Sequence, residues 1–227
     1  MRLTGKIIHV LALGLWFGSV VFFTFVVAPD LFNTFLSIGE RDRADRPYWF
    51  PLPEYFDKDP ANWEQGDQRL FKTPREVRHE QGFRAAGAAV GSMFDWYFML
   101  QNTCGLLAFA PAVNWWRAEP QRRVHRIRIF VLSVALVTVM VGYSIARKVS
   151  YLMQERNFAV ETVLRVPQPS AAMIQDASAK HHDFIRWHVY SLFLNFGTLA
   201  LVTVGMGLTA RLPGELGLPR TSATQPP

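Results

Sequence analysis

Charged residues are absent from four long stretches of this 227-residue chain. The stretches contain no Asp, Glu, Lys or Arg, and they cover residues 7–28, 96–116, 129–146 and 187–210. A helix needs about 20 apolar residues to cross a hydrocarbon layer roughly 30 Å thick, and each stretch has 18 or more. Because lipid offers the backbone no hydrogen-bond partner, each stretch should be helical. We therefore predict an all-α integral membrane protein, a four-helix bundle with four spans.

Cysteine and the common catalytic motifs are also scarce. The single cysteine, Cys104, lies within the second stretch, so no disulfide can form inside the chain. The sequence has no Gly-rich phosphate loop, no nucleophile elbow, and neither CxxC nor HExxH spacing. These absences favour a protein without an enzyme active site and leave cofactor chemistry open. The formal charge of +6 fits attraction to lipid headgroups, so we predict a bilayer partner and no nucleic acid.

Positive charge is concentrated between the second and third stretches. This connection carries five arginines and one acid, so it should face the cytoplasm. With four spans, both termini then lie on the cytoplasmic side as well. We predict one membrane domain over residues 1–213, with spans at about 7–29, 86–116, 127–149 and 185–210, and a disordered tail over 214–227.

The long segment between the first two spans, residues 30–84, is predicted to be ordered and to lie outside the membrane. Aromatic residues at positions 48–56 and at Trp63 give it apolar surface that disordered linkers rarely carry. Thr73 followed by Pro74 predicts the start of an amphipathic helix that leads into the second span. The segment could be a cap or a partner-docking loop. We favour an ordered loop with aromatic residues at the headgroup level.

Polar residues inside the spans are the first candidates for function, because burying them in lipid is costly. His188, Ser191 and Asn195 follow the i, i+3, i+7 pattern of one helix face. Asp95 and Asn102, seven residues apart, share a face of the second span. We predict that these five residues form a structural or binding centre inside the bundle. The pairs Gly14/Gly18 and Gly87/Gly91 are predicted to let helices approach closely.

Asp95 has two possible roles of its own, because it is a carboxylate at the start of an apolar span. We favour a salt bridge with an arginine such as Arg84 or Arg186. The alternative is proton or cation coupling in a transporter. Since four spans make a narrow pathway, transport would require an oligomer.

Histidines provide a second set of candidates, because imidazole is a suitable ligand for haem iron, copper or zinc. The residues considered are His9, His181, His182, Asp183 and His188. His9 and His188 should lie at opposite ends of the bundle and should not share one iron. His125 is closer in depth to His9. The HHD sequence at residues 181–183 could hold copper or zinc at the outer face, although its spacing matches no standard site.

Three segments of the chain resemble an uncharacterised four-span family that includes transmembrane protein 205. They are IIHVLALGLWFGSVVFFTFVVAPDLF (residues 7–32), residues 136–157 ending in KVSYLMQERN, and FIRWHVYSLFLN (residues 184–195). Residues 37–80 look like an insertion, and the third span lacks the terminal Asn and Pro of the family. His9 also resembles the intramembrane histidine of copper-resistance-D-type and haem-containing oxidase families. The resemblance implies a four-helix membrane fold, and bacterial members suggest a bacterial inner membrane.

Two classes of function follow from these observations. The first is a non-enzymatic accessory or scaffold subunit, or a small ligand-handling membrane protein, with membrane-protein partners or further copies of itself. The second is a haem- or metal-binding redox module that uses the histidines. An oligomeric transporter that uses Asp95 is a third hypothesis.

Overall fold

Four long helices, the first of them divided by a π-helical turn, contain most of the residues that the structure describes. The computed structural model describes residues 3–50, 53–56, 70, 71 and 73–209. Helix α1 is Leu3–Phe22, and it continues through a π-helical turn, Phe23–Val27, into α2, Ala28–Glu40. The other three helices are α3 (Pro74–Ala118), α4 (Arg123–Arg165) and α5 (Ala171–Thr209). Short 3₁₀ turns lie at Arg43–Asp45 and Glu54–Phe56, and the described residues contain no strand. The prediction of an all-α chain is confirmed.

Three of these helices are long and apolar enough to cross a membrane: Leu3–Glu40, α4 and α5. Helix α3 is not in this group, although it has 45 residues. Its apolar stretch includes Gln101, Asn102 and Asn114, and these amides lower its hydropathy. The number of spans therefore stays a prediction.

Packing between the helices follows a simple order. Helix α3 contacts α1, α2 and α4, while α4 packs extensively on α5, and α5 contacts α1. One core lies among α1, α3, α4 and α5 and is centred on the fully buried Leu13, Trp16 and Leu132. We call residues 3–29, 96–146 and 187–209 the apolar half. Its outward surface carries exposed Leu11, Phe130 and other large apolar side chains.

A second core lies beyond the apolar half, in a part of the molecule that we call the head. The head comprises the described residues of 30–95 together with residues 147–186. Its core contains Phe56, Val77, Val163 and Ala177. The third and fourth spans were predicted to end at about residue 149 and to begin at about residue 185, but α4 and α5 continue as helices between these points, with only residues 166–170 outside them. The helices extend because their apolar faces pack against each other there.

The start of α3 agrees with the sequence pattern. Thr73 caps the helix, since its hydroxyl oxygen accepts a hydrogen bond from the Glu76 amide at 3.3 Å. Pro74 occupies the first helical position, where its missing N–H costs nothing. Trp63 and the predicted tail over residues 214–227 lie outside the described residues.

Two helices of the head, α2 and α3, approach each other closely. A Cβ atom on Gly82 would stand 2.5 Å from the Phe35 carbonyl oxygen, and one on Gly39 would stand 2.9 Å from the Arg78 carbonyl oxygen. These two glycines therefore let the helix backbones touch. The prediction of close approach was wrong for Gly14, Gly18 and Gly91, which have open space where a Cβ would be added. Gly87 faces the Met153 sulfur at 2.9 Å, a side chain rather than a backbone.

Buried ion pairs also hold the head together. Arg156 Nη2 donates to Glu80 Oε2 at 2.6 Å, and the side chains of both residues are only 6% exposed. Arg84 Nε donates to the other oxygen of Glu80 at 3.1 Å, and its Nη2 donates to the Asn157 carbonyl at 2.9 Å. Two bonds thus link α3 to α4: Arg156 binds the Glu80 carboxylate, and Arg84 binds the Asn157 carbonyl.

Candidate functional site

A cavity of about 280 Å³ lies between the helices, in the apolar half and next to the head. All four long helices contribute to it. Most of its wall is apolar and aromatic, including Phe23, Phe32, Phe94 and Phe98. We call it the interhelical cavity. The polar side chains that line it are Thr24, Tyr97, Gln101, Thr138, His188, Ser191, Asn195 and Thr198.

The π-helical turn at Phe23–Val27 forms one side of this cavity. Its signature is the Ala28 amide, which donates to the Phe23 carbonyl five residues earlier. Pro29 explains the turn, because proline has no N–H to donate to the carbonyl of residue 25 and its ring displaces that carbonyl. The wider turn brings both Phe23 and Thr24 to the cavity wall. Such π turns often lie at functional sites.

A hydrogen-bonded chain crosses the cavity wall and joins three helices. The Tyr97 hydroxyl on α3 donates to Asn195 Oδ1 on α5 at 2.6 Å. Asn195 Nδ2 then donates to Thr24 Oγ1 in the π turn at 2.7 Å. The Asn195 amide therefore uses both its oxygen and its nitrogen to fix the relative positions of these helices.

Two more polar contacts flank this chain. The Thr138 and Thr198 hydroxyls lie 3.0 Å apart and connect α4 to α5. On the side away from the head, Trp16 Nε1 donates to Gln101 Oε1 at 3.2 Å. In these contacts, the hydroxyl and amide groups of the wall form hydrogen bonds with other groups of the protein.

His188 and Ser191 differ from the other polar residues of the wall. In the part of the chain that the structure describes, neither side chain makes a hydrogen bond. The His188 ring stacks on Phe184 with its centroid 5.6 Å away, which leaves both ring nitrogens available. The cavity therefore offers a hydroxyl and an imidazole to a bound molecule.

The predicted polar centre is only partly assembled. His188, Ser191 and Asn195 do share one face and line the interhelical cavity together. Asn102 does not line it; its Nδ2 donates to the Phe98 carbonyl one turn back on α3, at 2.9 Å. Asp95 also lies elsewhere, because its side chain is 66% exposed on the outside of α3.

The predicted salt-bridge partners of Asp95 were wrong. Its Oδ1 lies 3.9 Å from Arg147 Nη1 on α4. Arg84 pairs with Glu80 instead, and Arg186 pairs with Asp183 at 3.0 Å. The reason is the depth of these residues along the helices. Because α4 runs antiparallel to α3, Arg147, which follows the third apolar stretch, lies beside Asp95, which precedes the second.

The predicted HHD metal site is not assembled in the described residues. His181 Nδ1 accepts a hydrogen bond from Arg156 Nε at 3.1 Å, while Asp183 pairs with Arg186. The His182 ring centroid lies 6.1 Å from that of His181. Burial and the nearby Arg156 charge lower the pKa of His181, which favours the neutral ring that accepts this bond. No group of three or more metal-ligating side chains comes together in the part of the chain described.

His9 lies at the opposite end of the apolar half from the interhelical cavity. Its Nδ1–H donates to the Ala108 carbonyl at 2.7 Å, and its ring meets the edge of Trp115 at 4.9 Å. Along the helix it is about 22 Å from Thr24, at 1.5 Å per residue. The ring of His9 is fully buried, and its Nε2 has no hydrogen-bond partner.

A buried arginine near His9 was missed by the sequence reasoning. Arg128 was counted as part of a cytoplasmic connection, yet it is fully buried. Its Nη2 donates to the Leu208 carbonyl at 2.9 Å, near the end of α5, and its Nη1 donates to His125 Nδ1 at 3.2 Å. The guanidinium also lies over the Trp115 ring at 5.2 Å. Arg128 thus binds a carbonyl group at the negative end of the α5 dipole.

Tyr97 and the π turn were also missed as parts of the candidate site. A tyrosine in a run of aromatic residues carries no signal for a special role. The π turn did have a signal, since Pro29 follows an otherwise uninterrupted helical pattern.

No protein-family description, no curated protein and no solved structure matches this chain. The resemblance to the family of transmembrane protein 205 therefore stays a prediction. The function has to be argued from the cavity and its residues.

Proposed function

We propose that this protein is a four-span membrane protein that binds a small, mostly apolar molecule in the interhelical cavity. The observation that carries the proposal is the pair His188 and Ser191, polar side chains without a hydrogen-bond partner among the described residues, on a mostly apolar and aromatic wall. Both residues are half-buried, and polar groups that are shielded from water normally have hydrogen-bond partners. A ligand with one or two polar atoms would supply them.

Contacts between α1 and α3 support the fourth span. Trp16 bonds to Gln101, and His9 bonds to Ala108, so these parts of α3 lie at the same depth as the apolar α1. If α1 lies in the membrane, this part of α3 lies there too. The arginine-rich connection between α3 and α4 then faces the cytoplasm, with the two termini beside it.

The size and chemistry of the cavity limit the ligand. Pockets for small molecules typically measure about 300–1,000 Å³, so a cavity of about 280 Å³ fits a compact molecule and not a whole phospholipid. Its aromatic wall favours a flat ring, which can stack or meet ring edges. We infer a lipid-soluble ring compound that carries a hydroxyl or carbonyl group.

The other hypotheses receive less support from the geometry. A transporter based on Asp95 would need this carboxylate in a pathway, but it lies on the exposed side of α3. A haem or metal module would need a set of ligands, and the described histidines are dispersed. Ligand handling is therefore the function that the described residues favour, and a role as an accessory or scaffold subunit stays a prediction.

Binding of 1-naphthol, a fluorescent two-ring compound with one hydroxyl, tests the proposal. The purified protein should show saturable binding above partitioning into detergent. Ser191→Ala should weaken binding about two- to tenfold, the worth of one neutral hydrogen bond. Ser191→Phe should fill the cavity and abolish binding, whereas Phe193→Ala, on the exposed face of α5, should have no effect. Equal probe uptake by all four proteins would refute the proposal.

A further inference from the structure

A second, polar groove lies between α3 and α4, separated from the interhelical cavity by Phe94, which lines both. The groove has a volume of about 340 Å³. In contrast to the cavity, its walls carry many polar groups. The polar residues that line it are Asp95, Tyr143, Arg147, Ser150, Tyr151 and Gln154.

The two charged residues of the groove are only loosely paired. Asp95 Oδ1 and Arg147 Nη1 are 3.9 Å apart, beyond hydrogen-bond distance, and their side chains are 66% and 68% exposed. An exposed pair of this kind contributes little to stability. Each group therefore keeps most of its capacity to bind something else.

The neutral polar groups of the groove are also available. In the described residues, the side chains of Tyr143, Ser150, Tyr151 and Gln154 form no hydrogen bond. Two of these residues have contacts through their rings alone: Tyr143 meets the Phe98 ring at 5.6 Å, and the Tyr151 ring lies 5.3 Å from Lys148 Nζ. The groove thus combines one anion, one cation and several free donors.

The position of the groove along the helices indicates which molecules reach it. Asp95 immediately precedes the charge-free stretch of α3, and Arg147 immediately follows that of α4. If these stretches span the membrane, as proposed above, the groove opens at the level of the lipid headgroups. Tyrosine is common at this level because its ring is apolar and its hydroxyl is polar.

We propose that this groove binds the headgroup of a zwitterionic phospholipid with a primary ammonium group, such as phosphatidylethanolamine. The ammonium would bind the Asp95 carboxylate, and the phosphate would bind the Arg147 guanidinium, which offers a fork of donors suited to phosphate oxygens. The tyrosine hydroxyls and the Gln154 amide would donate to the remaining phosphate oxygens. An anionic headgroup without an ammonium would offer the Asp95 carboxylate no cation, and its negative charge would repel this carboxylate.

Native mass spectrometry of the full-length protein in detergent tests this inference. Phosphatidylethanolamine and phosphatidylglycerol with identical acyl chains would be titrated separately. The wild type should retain the ethanolamine lipid on the order of tenfold more tightly, the worth of one charged hydrogen bond. Asp95→Asn should remove this preference, and Arg147→Gln should weaken retention of both lipids.

Matched controls separate the groove from general surface charge. Asp30→Asn removes an exposed acid in the first turn of α2, and Arg123→Gln removes an exposed cation at the start of α4 that does not line the groove. Both controls should keep the preference. The proposal fails if Asp95→Asn behaves like Asp30→Asn, or if soluble O-phosphoethanolamine displaces the lipid at equal concentration.

The inference depends on the membrane position of α3 but not on the ligand of the interhelical cavity. Ser191→Phe should keep the lipid preference while it abolishes binding of 1-naphthol. Asp95→Asn should keep binding of 1-naphthol while it abolishes the lipid preference. A wild-type protein that binds 1-naphthol without a lipid preference, or shows the lipid preference without binding 1-naphthol, therefore identifies which of the two proposals is wrong.

Discussion

The buried ion pairs of the head and two polar residues of the interhelical cavity differ in whether they have partners. In the head, the Glu80 carboxylate is buried and accepts hydrogen bonds from both Arg84 and Arg156. In the cavity, His188 and Ser191 line the wall without a hydrogen-bond partner among the described residues. Polar groups that hold the fold together bind one another, whereas groups that can serve a ligand remain available.

The comparison also explains where tolerance to mutation should differ. A buried ion pair loses stability sharply when one partner is removed, because the other charge stays buried without compensation. An unpartnered hydroxyl in a cavity can be removed at little cost to the fold. Loss of stability should therefore follow the head contacts, and loss of ligand binding should follow the cavity wall.

The largest effect is expected from Glu80→Leu. This change leaves Arg156 buried without its carboxylate, while Arg84 keeps a contact with Glu161 at 3.5 Å. It should destabilise the protein by about 3–5 kcal/mol. Thermal unfolding in detergent would measure it. Glu40→Leu is the control, because Glu40 pairs with the exposed Arg75 and should cost about 1 kcal/mol or less. Similar losses for both variants would contradict the view that the buried ion pairs hold the head.

The same substitution at two glycines should change the stability of the protein in opposite directions. Gly82→Ala places a Cβ against the Phe35 carbonyl, so α2 and α3 must separate, at a cost of about 1–3 kcal/mol. Gly91→Ala meets open space and should stabilise α3 by up to about 1 kcal/mol through helix propensity. Thermal unfolding of the two variants compares them. Equal melting temperatures of the two variants would show that the close approach of α2 and α3 does not contribute to stability.

Asn195→Leu tests the hydrogen-bonded chain of the cavity wall. The change removes the bonds to Tyr97 and Thr24 and leaves the Tyr97 hydroxyl unpaired, which should cost about 1–3 kcal/mol. Asn102→Leu is matched in chemistry but loses only a bond within α3, so its melting temperature should change little. Unchanged stability of Asn195→Leu in both detergent and lipid would contradict the chain's role in joining the helices.

The smallest effect is expected from pH, at the edge of the head. The pKa of His181 is lowered from its usual 6.5 by burial and by Arg156, so the unfolded chain takes up this proton more readily than the folded one. Stability should therefore fall as pH drops below about 6.5. His181→Asn keeps an acceptor for Arg156 and should flatten the decrease in melting temperature, while His182→Asn should not. A wild-type melting temperature independent of pH between 7 and 5 would contradict this.

Parts of the candidate site were predictable from periodicity. The i, i+3, i+7 spacing of His188, Ser191 and Asn195 on α5 placed them on one face, and they do line the cavity together. Asn102 and Asp95 show the limit of the same reasoning. Residues seven apart share a helix face, but the periodicity does not say whether that face meets a cavity, a neighbouring helix or the surface.

The sequence by itself determined that the charge-free stretches are helical, because a backbone in lipid must form its hydrogen bonds internally, and that α3 begins at Thr73 and Pro74. Only the tertiary structure decided which residues of different helices contact each other. The Glu80 bonds to Arg84 and Arg156, the Gly82 contact with Phe35 and the pairing of Asp95 with Arg147 depend on the depth and rotation at which helices meet. Those two quantities arise from packing between segments far apart in the chain, so no local pattern records them.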